Sequence, residues 1–64
     1  MLTNSRDIKR RLETEGWVLM RQKGSHHQYK LRGQGPTLTL THPKKYMPIG
    51  TVRDIYRGAG WAIA

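Results

Sequence analysis

Groups that can transfer protons or bind phosphate are concentrated in one short stretch of the sequence, residues 23–30 (KGSHHQYK). The stretch contains a glycine, a serine hydroxyl, two adjacent imidazoles and two ammonium groups. An imidazole ordinarily has a pKa of about 6.5, so it can accept or donate a proton near neutral pH. If the chain has an active site, we expect it in this stretch.

Cleavage of RNA suits this set of groups, because the 2′-hydroxyl of the substrate is its own nucleophile. The protein then needs to supply only a proton shuttle and positive charge for the developing phosphorane, without a metal. Gly24 permits the positive φ that hairpin turns often require and lets a phosphate approach backbone N–H groups, and Ser25 adds a hydrogen bond. By spacing alone the signal is weak, since a Gly-Ser pair is usually only a turn.

Other chemistries fit the sequence less well. Metal-dependent phosphodiesterases generally bind their cation with carboxylates, and residues 16–53 contain no Asp or Glu. A zinc site of His26, His27 and His42 is disfavoured, because adjacent strand histidines point to opposite faces. Ser25 and His26 are too close along an extended strand to face each other in a Ser-His-Asp triad. We therefore predict no metal and no small-molecule cofactor.

The charge balance favours a polyanionic partner. Twelve Lys and Arg against four Asp and Glu give a net charge of +8, and the acid-free segment 16–53 carries seven of the basic residues. Such a one-sign surface attracts nucleic acid. A basic composition can also serve solubility alone, but a surface with evenly mixed positive and negative charges would serve solubility better.

Length and composition predict one small domain spanning residues 1–64. The chain has no cysteine, so neither a disulfide framework nor a thiolate metal site is available. No apolar run approaches the roughly 20 residues of a membrane span, and the amino terminus lacks the apolar core of a signal peptide. We expect a cytoplasmic protein without a membrane partner.

The pattern of apolar and turn residues predicts a helix, three strands and a second helix. The first helix covers residues 4–15, with Asn4 or Ser5 as N-cap and Gly16 after its end. The strands cover residues 17–21, 26–32 and 37–41, and hairpin turns connect them. The second helix runs from Ile49 or Thr51 to about residue 59 and ends at Gly60, and residues 61–64 form an apolar tail that packs on the core or contacts a partner.

Two local patterns refine this outline. Thr51 with Asp54 three residues later resembles a capping box. Ile8 and Leu12 define the buried stripe of the first helix. The buried stripe of the second helix consists of Ile49, Val52, Ile55, Tyr56 and Ala59.

Strand alternation assigns side chains to the two faces of the sheet. The core face contains Tyr29 and Leu31 on the second strand and Leu38 and Leu40 on the third. By the same parity His27 points towards the core, near its edge. The side chains on the other face are His26, Gln28, Lys30 and Arg32. Both helices must cover one face to bury all apolar stripes together, which leaves the other face open.

Several segments together resemble the HicA family of toxins, the mRNA interferases of HicA/HicB type II toxin–antitoxin systems. The resemblance runs from about Ser5 to Gly60, and its segments are KGSHHQY at 23–29, THPKK at 41–45 and MPIGTV at 47–52. It implies an α+β fold similar to double-stranded-RNA-binding domains, α-β-β-β-α, with both helices on one face of an antiparallel sheet. It also implies metal-independent endoribonuclease cleavage of mRNA, which arrests translation, and neutralisation by a HicB-type antitoxin that covers the active site.

The resemblance places the essential histidine at His26, the first after Gly-Ser, with His27 as second choice. Parity favours His26 independently, because it points away from the core. Whether His26 acts as acid or base stays open. The residues expected to contact RNA are Lys23, Gly24, Ser25, Gln28, Lys30, Lys44 and Lys45.

Two other functions compete with this hypothesis. A non-catalytic module that grips duplex RNA by shape and phosphate would also use the lysines before the second helix. Alternatively, the chain is an inactive toxin that binds an antitoxin and, with it, a promoter. Cleavage that depends on His26 would exclude both.

Overall fold

The computed structural model describes residues 1–63, and its elements follow the predicted order. Ala64, the end of the predicted tail, lies outside the described residues. The elements are α1 (Ser5–Thr14), β1 (Trp17–Lys23), β2 (His26–Leu31), β3 (Gln34–Thr41) and α2 (Ile49–Ala59). This confirms the α+β order α-β-β-β-α, similar to that of double-stranded-RNA-binding domains.

Helix α1 begins and ends as the local sequence predicts. Asn4 is the N-cap, and its side-chain oxygen accepts a hydrogen bond from the backbone N–H of Arg6 at 2.8 Å. Gly16 has φ of 94°, in the left-handed region that favours glycine, so the chain leaves the helix there. Ile8 and Leu12 are fully buried, which confirms the predicted stripe.

The three strands form an antiparallel sheet in the order β1-β2-β3, so β1 and β3 are its edges. Strand β1 continues to Lys23, two residues further than predicted, and β3 begins at Gln34 instead of Thr37. Strand β2 ends at Leu31, because Arg32 adopts a left-handed turn conformation with φ of 54°. The prediction that Arg32 belongs to the open face of the strand was therefore wrong.

A β-bulge in β1 changes which of its side chains face the core. Leu19 pairs with Tyr29, whereas Arg21 pairs with Gln28, so Met20 is an extra residue between two registered positions. Simple alternation would point the basic residues at the end of β1 towards the core. The bulge turns them to the opposite face.

Both helices pack on one face of the sheet and form a single core with it. Tyr29 and Leu40 are fully buried and Leu38 is nearly so, which confirms the core face of β2 and β3. Leu31 and Ile49 were predicted to be buried but are 43% and 50% exposed, because each is the terminal residue of its element. The other buried core residues are Ile8, Leu12, Trp17, Met47, Val52, Ile55, Tyr56 and Trp61.

Helix α2 begins earlier than the predicted capping box. Pro48 is the N-cap, and no side chain among residues 1–63 caps this end. Thr51 and Asp54 lie inside the helix, and Asp54 accepts a hydrogen bond from Arg57 at 3.2 Å instead. A proline inside a helix removes a backbone hydrogen bond, but its fixed φ suits the start of a helix. Pro48 therefore sets the beginning of α2. Gly60, with φ of 75°, ends the helix as predicted.

The described part of the tail packs back on the molecule, one of the two predicted alternatives. Trp61 is buried, and its indole ring meets the ring of Tyr56 edge-on at 5.0 Å between centroids. The indole N–H donates to the Glu15 carboxylate at 2.7 Å. This hydrogen bond, with a second one from Arg11, lowers the pKa of Glu15. The tail thus ties the end of α2 to the end of α1.

Candidate active site

His26 is exposed at the start of β2, on the face of the sheet opposite the helices. In the strand register it lies between Lys23 of β1 and Thr41 of β3. Directly opposed residues in a sheet have Cβ atoms about 4.5–5.5 Å apart, so an ammonium and a hydroxyl group flank the imidazole. A polymer lying on this face can reach the ring.

The register assigns a mainly polar surface to this side of the sheet, with the exposed Val18 opposite Lys30. Gln28 lies between Arg21 and Thr39, and Lys30 pairs with Thr37. The open face, as we use the term, consists of Arg21, Lys23, His26, Gln28, Lys30, Thr37, Thr39 and Thr41. It unites four residues of the predicted site and adds Arg21 and three threonines that the sequence reasoning missed. The alternation of threonine and leucine in β3 was a signal for the threonines.

The turn beside His26 has the conformation that its sequence requires. Gly24 has φ of 57°, which glycine adopts without strain. The carbonyl of Ser25 accepts a hydrogen bond from the backbone N–H of His42 at 2.8 Å, which fixes the turn against the end of β3. Lys23, Gly24 and Ser25 are all exposed and border the imidazole of His26.

His27 occupies the opposite, covered face, as parity predicts. Its side chain is 6% exposed, and its ring meets that of His42 edge-on, with centroids 5.4 Å apart. Within residues 1–63 its buried Nδ1 has no hydrogen-bond partner. A substrate on the open face lies on the other side of the sheet from this ring, so the geometry favours His26 as the reactive histidine.

His42 links the end of β3 to the start of α1. Its Nδ1 lies 2.8 Å from the hydroxyl of Ser5, which also accepts a hydrogen bond from the backbone N–H of Lys44 at 2.7 Å. Ser5 therefore bridges the ring of His42 and the backbone of Lys44. Burial lowers the pKa of His42, and the nearby His27 and Lys9 lower it further. His42 is thus held as a neutral ring.

Lys44 and Lys45 lie beyond the end of β3, beside α1. They line one of two clefts, of about 270 and 360 Å³, which share Arg6 and His42. Together these clefts form what we call the α1 groove. The residues lining it are Asn4, Ser5, Arg6, Lys9, Arg10, Glu13, His42, Pro43, Lys44 and Lys45. The structure thus divides the predicted RNA contacts between two surfaces.

The residues fit no metal centre in the described part of the chain. Among residues 1–63, no group of three His, Asp or Glu side chains is placed to hold a metal ion. His26 and His27 diverge to opposite faces, as expected for neighbours on a strand.

Neither helix of the described chain is long and apolar enough to cross a membrane.

Comparison with known protein families gives a match over most of the chain. A family model described as the HicA toxin of bacterial toxin–antitoxin systems matches residues 5–61, which include both helices, the whole sheet and the open face. The comparison with curated proteins gave no match. The chain therefore belongs to the HicA family of bacterial toxins.

Proposed function

We propose that this HicA-family toxin is an endoribonuclease that cleaves mRNA, with His26 as the proton-transfer group. The observation that supports this role is the position of His26. Its imidazole is exposed on the open face, with the ammonium of Lys23 opposite on one strand and the hydroxyl of Thr41 opposite on the other. No other histidine among the described residues combines exposure with such neighbours.

The proposed reaction transfers the phosphodiester within the RNA. His26 accepts the proton of the 2′-hydroxyl, and the 2′-oxygen forms a bond to phosphorus. The bond from phosphorus to the 5′-oxygen breaks, and that oxygen takes a proton from the Lys23 ammonium or from water. The products are a 2′,3′-cyclic phosphate and a 5′-hydroxyl. General acid–base catalysis of this kind accelerates a reaction by about 100- to 10,000-fold.

The cations of the open face complete the proposed site. Negative charge develops on the phosphorane oxygens, and preorganised donors stabilise it. Lys23 and Arg21 lie on the strand beside His26, and Lys30 continues the positive charge along β2. Gly24 lets a phosphate approach the backbone of the turn, and Ser25 offers a hydroxyl. Gln28 can hydrogen-bond to a base or a ribose.

The family implies an antitoxin partner, and we propose that it is of the HicB type and neutralises the toxin by covering the open face. The positive charge of that face favours a partner with acidic side chains. A bound antitoxin would then block cleavage and RNA binding together.

The test incubates the purified chain with an mRNA transcript in EDTA. Wild type should yield fragments with 2′,3′-cyclic phosphate and 5′-hydroxyl ends, and His26→Ala should yield none. Arg57→Ala, at an exposed position of α2 outside the open face, is the control and should cleave normally. Cleavage retained by His26→Ala would refute the assignment. RNA binding without fragments from wild type would support the non-catalytic RNA-binding alternative.

A further inference from the structure

The open face and the α1 groove meet at the end of β3. Thr41 lies opposite His26 on the open face, and the next residue, His42, lines the groove on the helix side. Strand β3 is an edge of the three-stranded sheet, so a ligand passing from one face to the other crosses no further strand of that sheet. The two surfaces are therefore separated by the width of one strand.

A third cleft bridges them. It has a volume of about 190 Å³ and is lined by Thr41 from the open face and by Lys44 from the α1 groove. Its remaining lining residues include Pro48 and Thr51 at the start of α2, where no side chain caps the helix. The free N–H groups and positive dipole end of such a helix attract phosphate. The clefts thus form a continuous path from Thr41, opposite His26, to α1.

The α1 groove carries the charge and the donors that phosphates require. Arg6, Lys9 and Arg10 are spaced three and four residues apart on α1, so they form one stripe along the groove. Within residues 1–63 neither arginine is paired with a carboxylate. The one acid in the groove, Glu13, is bound by Lys9 at 2.7 Å.

The segment after β3 adds further groups to the groove. His42 lines both of its clefts, and Lys44 and Lys45 supply two more cations. Arginine binds phosphate in a bidentate manner, which suits the two unpaired guanidinium groups. The groove lacks the aromatic and aliphatic anchors typical of protein interfaces, so its chemistry favours a phosphate backbone over a polypeptide.

We infer that a single RNA strand runs from the open face around the edge of β3 into the α1 groove. Arg6 and Arg10 then bind phosphates of nucleotides outside the cleaved bond. This inference rests on the proposed ribonuclease function and adds a second binding surface to it. The groove residues lie on the helix side of the sheet, whereas His26 lies on the opposite face, so they act on substrate binding and length preference.

The test compares Arg6→Ala/Arg10→Ala with Arg53→Ala/Arg57→Ala, which removes the same charge from exposed positions of α2. For a long transcript the first variant should raise KM about tenfold, which corresponds to about 1.4 kcal/mol for the two phosphate contacts together, with kcat unchanged. For a dinucleotide spanning the same cleaved bond, both variants should match wild type. Arg6→Lys/Arg10→Lys should recover most of the loss, which also shows that the fold is intact.

A binding measurement keeps this inference separate from the ribonuclease proposal. In a His26→Ala background, the slope of log affinity against log salt for a long RNA should fall by about 1.4 when both arginines are removed, since each phosphate contact to a single strand contributes about 0.7. An unchanged slope, or an equal change in the α2 variant, would overturn the inference. So would loss of antitoxin binding with RNA affinity intact. Absence of cleavage by wild type, with the slope change present, would defeat only the ribonuclease proposal.

Discussion

The two faces of the sheet use the same side chain for different purposes. His26 and His27 are adjacent in the chain, yet one is exposed beside Lys23 and Thr41, and the other is 6% exposed against the ring of His42. An imidazole in water beside cations can exchange protons with a substrate, whereas a buried one such as that of His27 mainly fills space in the core. The face of the strand on which a histidine lies therefore indicates its role better than the residue type does.

The largest effect expected from this comparison is on cleavage. His26→Ala should lower single-turnover RNA cleavage by about 100- to 10,000-fold, the range for loss of a general acid or base. Its free energy of unfolding should stay within about 0.5 kcal/mol of wild type, because an exposed side chain is removed. Cleavage kinetics and chemical denaturation measure the two quantities. A large loss of stability would show that His26 supports the fold and would remove the contrast with His27.

His27→Ala should show the reverse pattern. Removing a buried ring should cost about 2 kcal/mol, which lowers Tm by about 10 °C in a domain of this size. Cleavage per folded molecule should stay close to wild type, measured well below Tm. If His27→Ala instead abolished cleavage with its stability intact, the catalytic role would move to the second histidine.

A pH titration probes the covered face further. The pKa of His42 is lowered by burial, so the folded state binds its proton less readily than the unfolded state. Its contribution to stability is full above the ordinary value of about 6.5 and is lost as pH falls through the lowered pKa. Tm should therefore fall between about pH 7.5 and about pH 5.5, and by less in His42→Asn, which can retain the contact with Ser5.

His26→Asn is the matched control for this titration. It removes an exposed imidazole, so its Tm difference between about pH 7.5 and about pH 5.5 should equal that of wild type. Other titratable groups near His42 are His27, Lys9 and Glu13, which all remain in both variants. An equal Tm difference in wild type and His42→Asn would contradict the assignment of this pH dependence to His42.

The smallest expected effect concerns packing between α2 and β3. Alanine normally stabilises a helix by about 1 kcal/mol relative to glycine, but a Cβ on Gly58 would lie 2.7 Å from Cδ1 of Leu38. Gly58→Ala should therefore change stability by less than about 0.5 kcal/mol, because repacking offsets the gain. A Leu38→Val background removes that atom. In this background Gly58→Ala should raise the free energy of unfolding by about 1 kcal/mol.

Gly50→Ala provides the control for the packing prediction. Among the described residues no atom lies within 4 Å of a Cβ added at Gly50, so alanine there should show the propensity gain without any clash. Chemical denaturation of the single and double variants measures all of these differences. A full gain from Gly58→Ala in the wild-type background would show that Leu38 moves away freely.

Local sequence was sufficient for most of the elements, because short-range chemistry controls them. As predicted, Gly24 has a positive φ, Gly16 and Gly60 follow the ends of the helices, and Ile8 and Leu12 are buried at helical spacing. Asn4, one of the two predicted N-caps, caps α1. The boundaries were less accurate. Thr51 and Asp54 resembled a capping box, but the proline before them already starts α2, and Leu31 lies in a strand yet at its exposed end.

By itself the sequence determined the order of elements, the positive charge, the family and the opposite orientation of His26 and His27, since each follows from composition or from the period of a strand. Only the tertiary structure decided which residues surround His26 on the open face and which residues line the α1 groove. The bulge at Met20 turns Arg21 and Lys23 onto the open face, against simple alternation. Packing of α1 against the end of β3 creates the α1 groove, because only the folded chain brings residues 4–13 and 42–45 together.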